Sequence, residues 1–148
     1  MQHSTRRRFL QQSGTSLAAT ATMTAAAARR VLGANDRIRV GLIGGGGRGR
    51  YDARLFAARK DTEVVWVADP HEDRLSQAAK ELGGSVQTAA DFRRILDDES
   101  VDAVINATPV HWHAPGTIVA CEAGKHVYCE KPCSHNIREG RLIVGAAR

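Results

Sequence analysis

The chain has 148 residues, 43% of them hydrophobic, and a formal net charge of +5, a composition that fits a globular protein and excludes a fibrous or wholly disordered chain. Residues 1–30 hold five arginines and no acidic residue, so 16 of the 21 basic residues remain to balance the 16 acidic residues of the rest. The excess charge therefore lies in the first thirty residues, and the rest of the chain has no basic surplus that would indicate a nucleic-acid partner.

The first thirty residues have the pattern of an export signal. Residues 5–10 read T-R-R-R-F-L, and an uncharged stretch rich in Ala, Thr and Ser follows over residues 11–28; this arrangement resembles a twin-arginine signal. The stretch is too polar to span a membrane as a helix. We therefore expect residues 1–34 to be export signal and linker, the twin-arginine (Tat) machinery to be a partner, and the protein to be periplasmic or otherwise extracytoplasmic. The alternative is an uncleaved amphipathic or disordered tail.

From residue 35 onwards, short apolar runs alternate with helical patterns. The runs at residues 40–43 and 64–67 are almost continuously apolar, as in strands that are buried on both faces. Strands that alternate with helices form right-handed crossover units, so residues 35–148 are predicted to be an α/β domain with a Rossmann-like, doubly wound parallel sheet. The predicted strands cover residues 38–43, 63–68, 86–88, 103–107 and 126–129, and the predicted helices cover residues 50–58, 72–82, 91–96, 115–123 and 137–147.

A glycine-rich segment directly follows the first predicted strand. Residues 44–49 fit the pattern G-x-G-x-x-G in only one register, with Gly44, Gly46 and Gly49 at the glycine positions. The first glycine permits a tight turn, the second a close approach of backbone to a pyrophosphate, and the third close packing of the next helix. We predict that these glycines, with Gly47 and Arg48, bind a dinucleotide. A plain strand-to-helix connection is the alternative.

The second predicted strand leads into an acidic residue. Asp69 lies 20 residues beyond Gly49, the offset at which a carboxylate can accept hydrogen bonds from the adenosine ribose. The alternative is an N-cap or turn role before Pro70, and the two roles are compatible. Asp69 would repel a 2′-phosphate, and the nearest arginine, Arg74, is on the next helix. We therefore expect NAD to be preferred over NADP.

Two segments in the second half of the chain are more specific. Residues 108–113 read T-P-V-H-W-H, and residues 123–132 read A-G-K-H-V-Y-C-E-K-P. With the glycine segment and Asp69, they resemble the Gfo/Idh/MocA family, the relatives of glucose-fructose oxidoreductase and inositol dehydrogenase. The resemblance extends over nearly all of residues 37–148.

The resemblance implies roles for five residues in this half. Thr108, Pro109 and His113 would line the nicotinamide half of the cofactor pocket. Glu130 and Lys131 would lie at its catalytic end. Lys131 is our catalytic candidate, because a lysine beside the nicotinamide can orient a substrate hydroxyl and assist proton transfer. A solvated lysine at a strand end is the alternative.

The resemblance also implies hydride transfer between NAD and a sugar or polyol. Family members have a second domain that forms the substrate pocket, and a complete fold of this kind has a sixth strand. Because the chain stops within the apolar helical pattern of residues 137–148, we expect a domain truncated before its last strand, without the second domain and incomplete as a catalyst. The alternatives are the cofactor domain of a glycoside hydrolase that uses tightly bound NAD, and a non-catalytic nucleotide-binding or oligomerising remnant.

The cysteines, histidines and tryptophans carry weaker signals. The three cysteines form no C-x-x-C pair, so we predict no metal site. The sequence does not decide whether Cys129 and Cys133 form a disulfide. Trp66 and Trp112 are interpreted as packing residues. The absent sixth strand would leave a sheet edge open, which would favour a homo-oligomer.

Overall fold

One sheet of five parallel strands organises the domain. The computed structural model describes residues 37–83 and 85–148. In chain order the elements are β1 (Ile38–Ile43), α1 (Gly47–Ala57), β2 (Thr62–Ala68), α2 (Glu72–Leu82), β3 (Gln87–Ala89), α3 (Arg93–Asp97), β4 (Ala103–Asn106), α4 (Val110–Glu122), β5 (His126–Cys129) and α5 (Ile137–Ala146). The strand order β3-β2-β1-β4-β5 is that of the doubly wound dinucleotide-binding fold. The predicted fold class is therefore confirmed.

The predicted export signal and linker, residues 1–34, lie outside the described residues. The described residues belong to the second of two units, residues 37–148. Within that unit, the described helices are all too short or too polar to cross a membrane. The export signal stays a prediction.

Alternate residues of the central strands pack on opposite faces of the sheet. Leu42 and Ile105 belong to one buried cluster, whereas their neighbours Ile43 and Val104 belong to another. Successive side chains of a strand point to opposite faces, so two separate clusters mean that both faces are covered. The first cluster includes Ala53 of α1 and Ala78 of α2, and the second includes Ile95 and Leu96 of α3 and Ala120 of α4.

Two helices begin earlier than the sequence predicts. We predicted starts at residues 50 and 115, but α1 begins at Gly47 and α4 at Val110. Pro115 therefore lies inside α4, where it lacks an N–H to donate to the preceding turn. The first turn of α4 is held by tertiary contacts that local sequence rules do not include. As a consequence, both helices start at the carboxyl ends of the strands, where the predicted site residues are.

Lys125, in the second of the specific segments, has a structural role. It is only 9% exposed, and its Nζ donates to the carbonyl oxygens of Asp98 at 2.7 Å and Val101 at 2.9 Å. Both carbonyls precede β4, and Lys125 precedes β5, so the ammonium joins the amino ends of neighbouring strands. One residue of the second specific segment therefore stabilises the amino ends of the strands, at the end of the sheet opposite the predicted site.

Candidate functional site

The carboxyl ends of the strands bring all the predicted cofactor-binding segments together. The glycine segment follows β1, Asp69 follows β2, Thr108 and Pro109 follow β4, and Glu130 follows β5. In open α/β sheets, ligands bind where the strand order reverses, here between β1 and β4. Three adjoining cavities lie along this edge, and Thr108 lines all three. We call them the loop cavity, lined by Gly46 and Gly47, the apolar cavity, lined by Phe92 and Trp112, and the lysine cavity, lined by Lys131.

At two positions of the glycine segment the backbone has no room for a side chain, and at two others the space beside the glycine is empty of protein atoms. Gly44 has a φ of +99°, and a Cβ there would lie 2.8 Å from the Ala107 carbonyl oxygen. A Cβ on Gly49 would clash with the carbonyl oxygen of Gly44. By contrast, a Cβ on Gly46 or Gly47 would meet no atom within 4 Å. The space beside these two glycines is what a pyrophosphate would need.

The start of α1 suits an anion. Its N-cap is Gly46, and no side chain caps the helix, so the first backbone N–H groups of the helix are available to a ligand. The helix dipole adds positive potential at the same place. Gly46, Gly47 and Arg48 line the loop cavity. The residues of this loop therefore fit a dinucleotide pyrophosphate.

Asp69 is buried and holds the turns on both sides of it. It is 3% exposed; its Oδ2 accepts from the Gly45 N–H and its Oδ1 from the His71 N–H, both at 2.9 Å. The N-cap of α2 is His71, so the N-cap alternative for Asp69 is wrong and the turn alternative is correct. Each carboxylate oxygen can accept a second hydrogen bond. Asp69 lines both the loop cavity and the apolar cavity, and its ribose role stays a prediction.

Asn106 was missed by sequence analysis and organises the segment after β4. It is fully buried. Its Nδ2 donates to the His113 carbonyl at 3.0 Å, and its Oδ1 accepts from the Thr108 hydroxyl at 2.7 Å. The only signal in the sequence was an asparagine at the end of an apolar strand. Asn106 therefore positions Thr108 and the first turn of α4.

His113 lines the lysine cavity, but both of its ring nitrogens face the protein. The side chain is buried, with Nδ1 at 2.6 Å from the Pro132 carbonyl oxygen and Nε2 at 2.7 Å from the Thr108 carbonyl oxygen. His113 thus joins the segment after β4 to the segment after β5.

Glu130 is bound by the protein on both oxygens. Oε1 accepts from Arg48 Nη2 at 2.8 Å and from the Tyr128 hydroxyl at 3.1 Å, and Oε2 accepts from the Lys131 N–H at 3.2 Å. The hydrogen bond from Arg48 is the main reason that the pKa of Glu130 is below its usual value. Two residues that we predicted to bind the cofactor therefore bind each other, and they connect the glycine segment to the catalytic candidate.

Arg48 has a second carboxylate partner that sequence analysis missed. Its Nε donates to Asp52 Oδ2 at 3.1 Å, one helical turn along α1. Asp52 is 3% exposed, and its burial raises its pKa. The guanidinium also lies over the Tyr51 ring, 5.4 Å from the centroid. Arg48 is thus fixed in place beside the lysine cavity.

Lys131 is exposed and lines the lysine cavity with Arg48, Thr108 and His113. Its peptide bond to Pro132 is cis. Within residues 37–83 and 85–148, no hydrogen bond or ion pair is seen for its Nζ. The ammonium is therefore available to a ligand in this cavity, and its catalytic role stays a prediction.

The apolar cavity, about 440 Å³ in volume, extends from Asp69 towards α4. Trp112 forms part of its wall and packs edge-on against Phe92, with ring centroids 6.3 Å apart. Trp112 remains 45% exposed, so it is a cavity residue as well as a packing residue. Flat apolar walls beside the ribose-binding candidate suit an adenine ring.

The cysteines and histidines do not converge. In the part of the chain that the structure describes, no group of three or more His, Cys, Asp or Glu side chains could hold a metal ion. The thiols of Cys121, Cys129 and Cys133 are all free. The disulfide left open by the sequence is therefore not formed in this structure.

Comparison with known proteins agrees with this geometry. The family model described as "Oxidoreductase family, NAD-binding Rossmann fold" (GFO_IDH_MocA) matches residues 38–148. Levoglucosan dehydrogenase from Pseudarthrobacter phenanthrenivorans is 34% identical over 123 residues, which are 76% of this chain and 31% of that protein. A glycosyl hydrolase family 109 protein from Shewanella is 32% identical over 120 residues, 76% of this chain and 26% of that protein.

A solved structure gives the same result at the level of the fold. The 3-ketoreductase from Actinomadura kijaniata, in complex with NADP and TDP-benzene, superposes with a TM-score of 0.70 at 29% identity. The match covers 76% of this chain and 34% of that one. The chain thus spans about a third or less of the length of these relatives. It belongs to the Gfo/Idh/MocA oxidoreductase family, and residues 38–148 are an NAD-binding Rossmann domain of that family.

Proposed function

We propose that the carboxyl ends of β1, β2, β4 and β5, with the loops that follow them, bind a nicotinamide dinucleotide. The observation that carries the proposal is the open space beside Gly46 and Gly47 at the uncapped start of α1. Gly44 and Gly49 keep the turn and the helix in place around that space. The pyrophosphate lies there, Asp69 binds the adenosine ribose, and the adenine occupies the apolar cavity. In this proposed pose the nicotinamide lies at the lysine cavity.

In the lysine cavity, Lys131 has the chemistry for proton transfer. When bound, the nicotinamide supplies a hydride acceptor or donor. In the reduction direction the ammonium of Lys131 would donate a proton to the substrate carbonyl oxygen, and in the oxidation direction the neutral amine would accept the proton of the substrate hydroxyl. Glu130 fixes the backbone of Lys131, and His113 holds the carbonyl of Pro132 on its other side. These contacts restrict where the lysine can be, which is what orientation of a substrate requires.

We propose hydride transfer to or from a sugar or polyol as the wider activity. Levoglucosan dehydrogenase is named for the dehydrogenation of levoglucosan, and the 3-ketoreductase is named for the reduction of a ketone. The chain spans about a third of the length of these two relatives, so we propose the described cavities as the cofactor half of this activity and assign no sugar-binding surface to them.

A second candidate is the cofactor domain of a glycoside hydrolase. The similarity to a glycosyl hydrolase family 109 protein, at 32% identity, favours it. Both candidates require the same dinucleotide site. They differ in the substrate, so assays for the hydrolysis and for the oxidation of glycosides would distinguish them.

The dinucleotide site is tested by filling the space beside Gly46. We expect Gly46→Val to weaken NAD binding at least about tenfold, or 1.4 kcal/mol, because the valine would occupy the place of the pyrophosphate. The fold should be unaffected, since a Cβ there meets no protein atom within 4 Å. The measurement is calorimetric titration of NAD into the 148-residue chain.

Gly145→Val provides a matched control, because Gly145 is exposed in α5 and also has open space around it. It should bind NAD as the unchanged chain does. Circular dichroism should show that both variants are folded. Unchanged NAD affinity in folded Gly46→Val would contradict the proposed site.

We also propose export by the twin-arginine route to the periplasm. Its support is the T-R-R-R-F-L sequence at residues 5–10 and the uncharged stretch after it. Replacing Arg6, Arg7 and Arg8 by lysine should retain the protein in the cytoplasm, because the route depends on arginine and not on charge alone. The measurement is cell fractionation with immunoblotting. Replacing Arg29 and Arg30 by lysine is the control, and equal export of both variants would refute the proposal.

A further inference from the structure

We propose that Asp52 limits the affinity of the dinucleotide site, because its carboxylate competes with the pyrophosphate for Arg48 until it takes up a proton from solvent. This inference rests on the proposed dinucleotide site. It assigns a role to a buried carboxylate that lines none of the three cavities. Asp52 therefore acts through Arg48 and not by contact with the dinucleotide.

One guanidinium serves two buried carboxylates. Arg48 donates from Nε to Asp52 Oδ2 at 3.1 Å and from Nη2 to Glu130 Oε1 at 2.8 Å. The side chains of Asp52 and Glu130 are 3% and 8% exposed. Glu130 also accepts from the Tyr128 hydroxyl and the Lys131 N–H. Within residues 37–83 and 85–148, no donor other than Arg48 is seen for the Asp52 carboxylate. Asp52 thus depends on Arg48 to offset the cost of its burial.

Arg48 borders the place that we propose for the pyrophosphate. It lies in the first turn of α1 and lines the loop cavity with Gly46 and Gly47. Its side chain is 57% exposed, so it can turn towards a ligand without disturbing the core. A guanidinium binds phosphate oxygens through the same planar N–H donors that bind a carboxylate. When the dinucleotide binds, the pyrophosphate and Asp52 therefore compete for the donors of Arg48.

Dinucleotide binding favours the protonated form of Asp52 in two ways. Burial already raises the pKa of Asp52, while the charge of Arg48 acts to lower it. A bound anion adds a like charge nearby, and any turn of Arg48 towards that anion removes the favourable one. Both changes raise the pKa of Asp52 further, so binding takes up a proton from solvent. Because such coupling is reciprocal, acid must strengthen binding of the dinucleotide.

The surroundings of Asp52 make it sensitive to the position of Arg48. In the described part of the chain, Tyr128 and Glu130 are the other titratable groups that interact with it. Lys131 lies in the lysine cavity, which Asp52 does not line. The side chains of β1, β2, β4 and α2 that pack with Ala53 of α1 in the first buried cluster are apolar. The outer charged residues of α1 and α2 pair with one another, namely Arg50, Arg54 and Glu81.

The test is calorimetric titration of NAD into the 148-residue chain from about pH 4.5 to about pH 8, in pairs of buffers that differ in their enthalpy of ionisation. We expect the NAD affinity to fall about tenfold as the pH rises through the raised pKa of Asp52, the change that corresponds to a further shift of about one unit on binding. The heats in the paired buffers should show proton uptake over the same range.

Asp52→Asn removes the charge and keeps an oxygen that can accept from Arg48. At about pH 7 it should bind NAD about threefold to tenfold more tightly than the unchanged chain, without the proton uptake of Asp52. Asp61→Asn is the matched control, since Asp61 makes an exposed ion pair with Arg59, and it should change neither quantity. His71 and His111, which line the apolar cavity, are the same in all three chains, so the difference isolates Asp52.

A double-mutant cycle tests whether Asp52 acts through Arg48. In an Arg48→Gln background, Asp52→Asn should change the NAD affinity less than about twofold. Circular dichroism identifies the folded variants, and the buffer comparison requires only the unchanged chain. Binding without proton uptake, equal affinity of folded Asp52→Asn, or an undiminished effect in the Arg48→Gln background would overturn the inference alone. Failure of the unchanged chain to bind NAD would refute the proposed dinucleotide site as well.

Discussion

Gly49→Ala is expected to destabilise the domain by about 3 kcal/mol or more, at the upper end of the cost of inserting a methyl group into a packed site. The added Cβ would clash with the carbonyl oxygen of Gly44 and lie 3.2 Å from Leu42 Cδ1. Gly44 cannot yield easily, because its positive φ and the hydrogen bond from its N–H to the Ala68 carbonyl already fix the turn. The clash therefore separates α1 from β1. Urea unfolding followed by circular dichroism measures the loss.

Gly47→Ala is the control for this prediction. A Cβ on Gly47 meets no atom within 4 Å, and the residue is helical, so alanine should be neutral or stabilising by up to about 1 kcal/mol. Equal stabilities of the two variants would show that close packing of α1 on β1 is not what Gly49 provides. The pair thus separates the glycine that the fold needs from one beside the proposed pyrophosphate.

Asn106→Leu should destabilise the domain by about 3 kcal/mol, because it leaves the buried His113 carbonyl and the half-buried Thr108 hydroxyl without their partner. The size of the side chain is nearly unchanged, so the effect reports hydrogen bonding more than volume. NAD binding should weaken as well, even where the variant is folded, since Thr108 lines all three cavities. The measurements are urea unfolding and calorimetric titration.

The matched control is the same substitution at Asn136. That residue is exposed, and its side chain caps α5 by accepting from the Glu139 N–H. Loss of such a cap costs about 1 kcal/mol, and NAD binding should be unaffected. If Asn106→Leu were no more costly than Asn136→Leu, the network around Asn106 would not be what holds the segment after β4.

Much of the fold was predictable because its signals are local. Buried strands appear as apolar runs, and the turn after β1 requires glycine at positions that the pattern identifies. The starts of α1 and α4 were placed too late, at residues 50 and 115. Glycines at the start of α1 and a proline within α4 made both helix starts hard to recognise in the sequence. The first turn of α4 is stabilised by a residue of another element, since Asn106 Nδ2 donates to the His113 carbonyl at 3.0 Å.

The sequence by itself determined the doubly wound sheet and the segments that meet at the strand ends, because these depend on backbone conformation and on the periodicity of burial. The family was inferred separately, from the resemblance of the glycine segment, Asp69 and residues 108–113 and 123–132 to known members. Only the tertiary structure decided which side chains are partners. Arg48 and Glu130 are 82 residues apart, and Arg74 approaches Asp69 across the turn between β2 and α2. Such pairings depend on which strands are neighbours in the sheet and on where each helix begins. The sequence separation between two residues predicts neither of these.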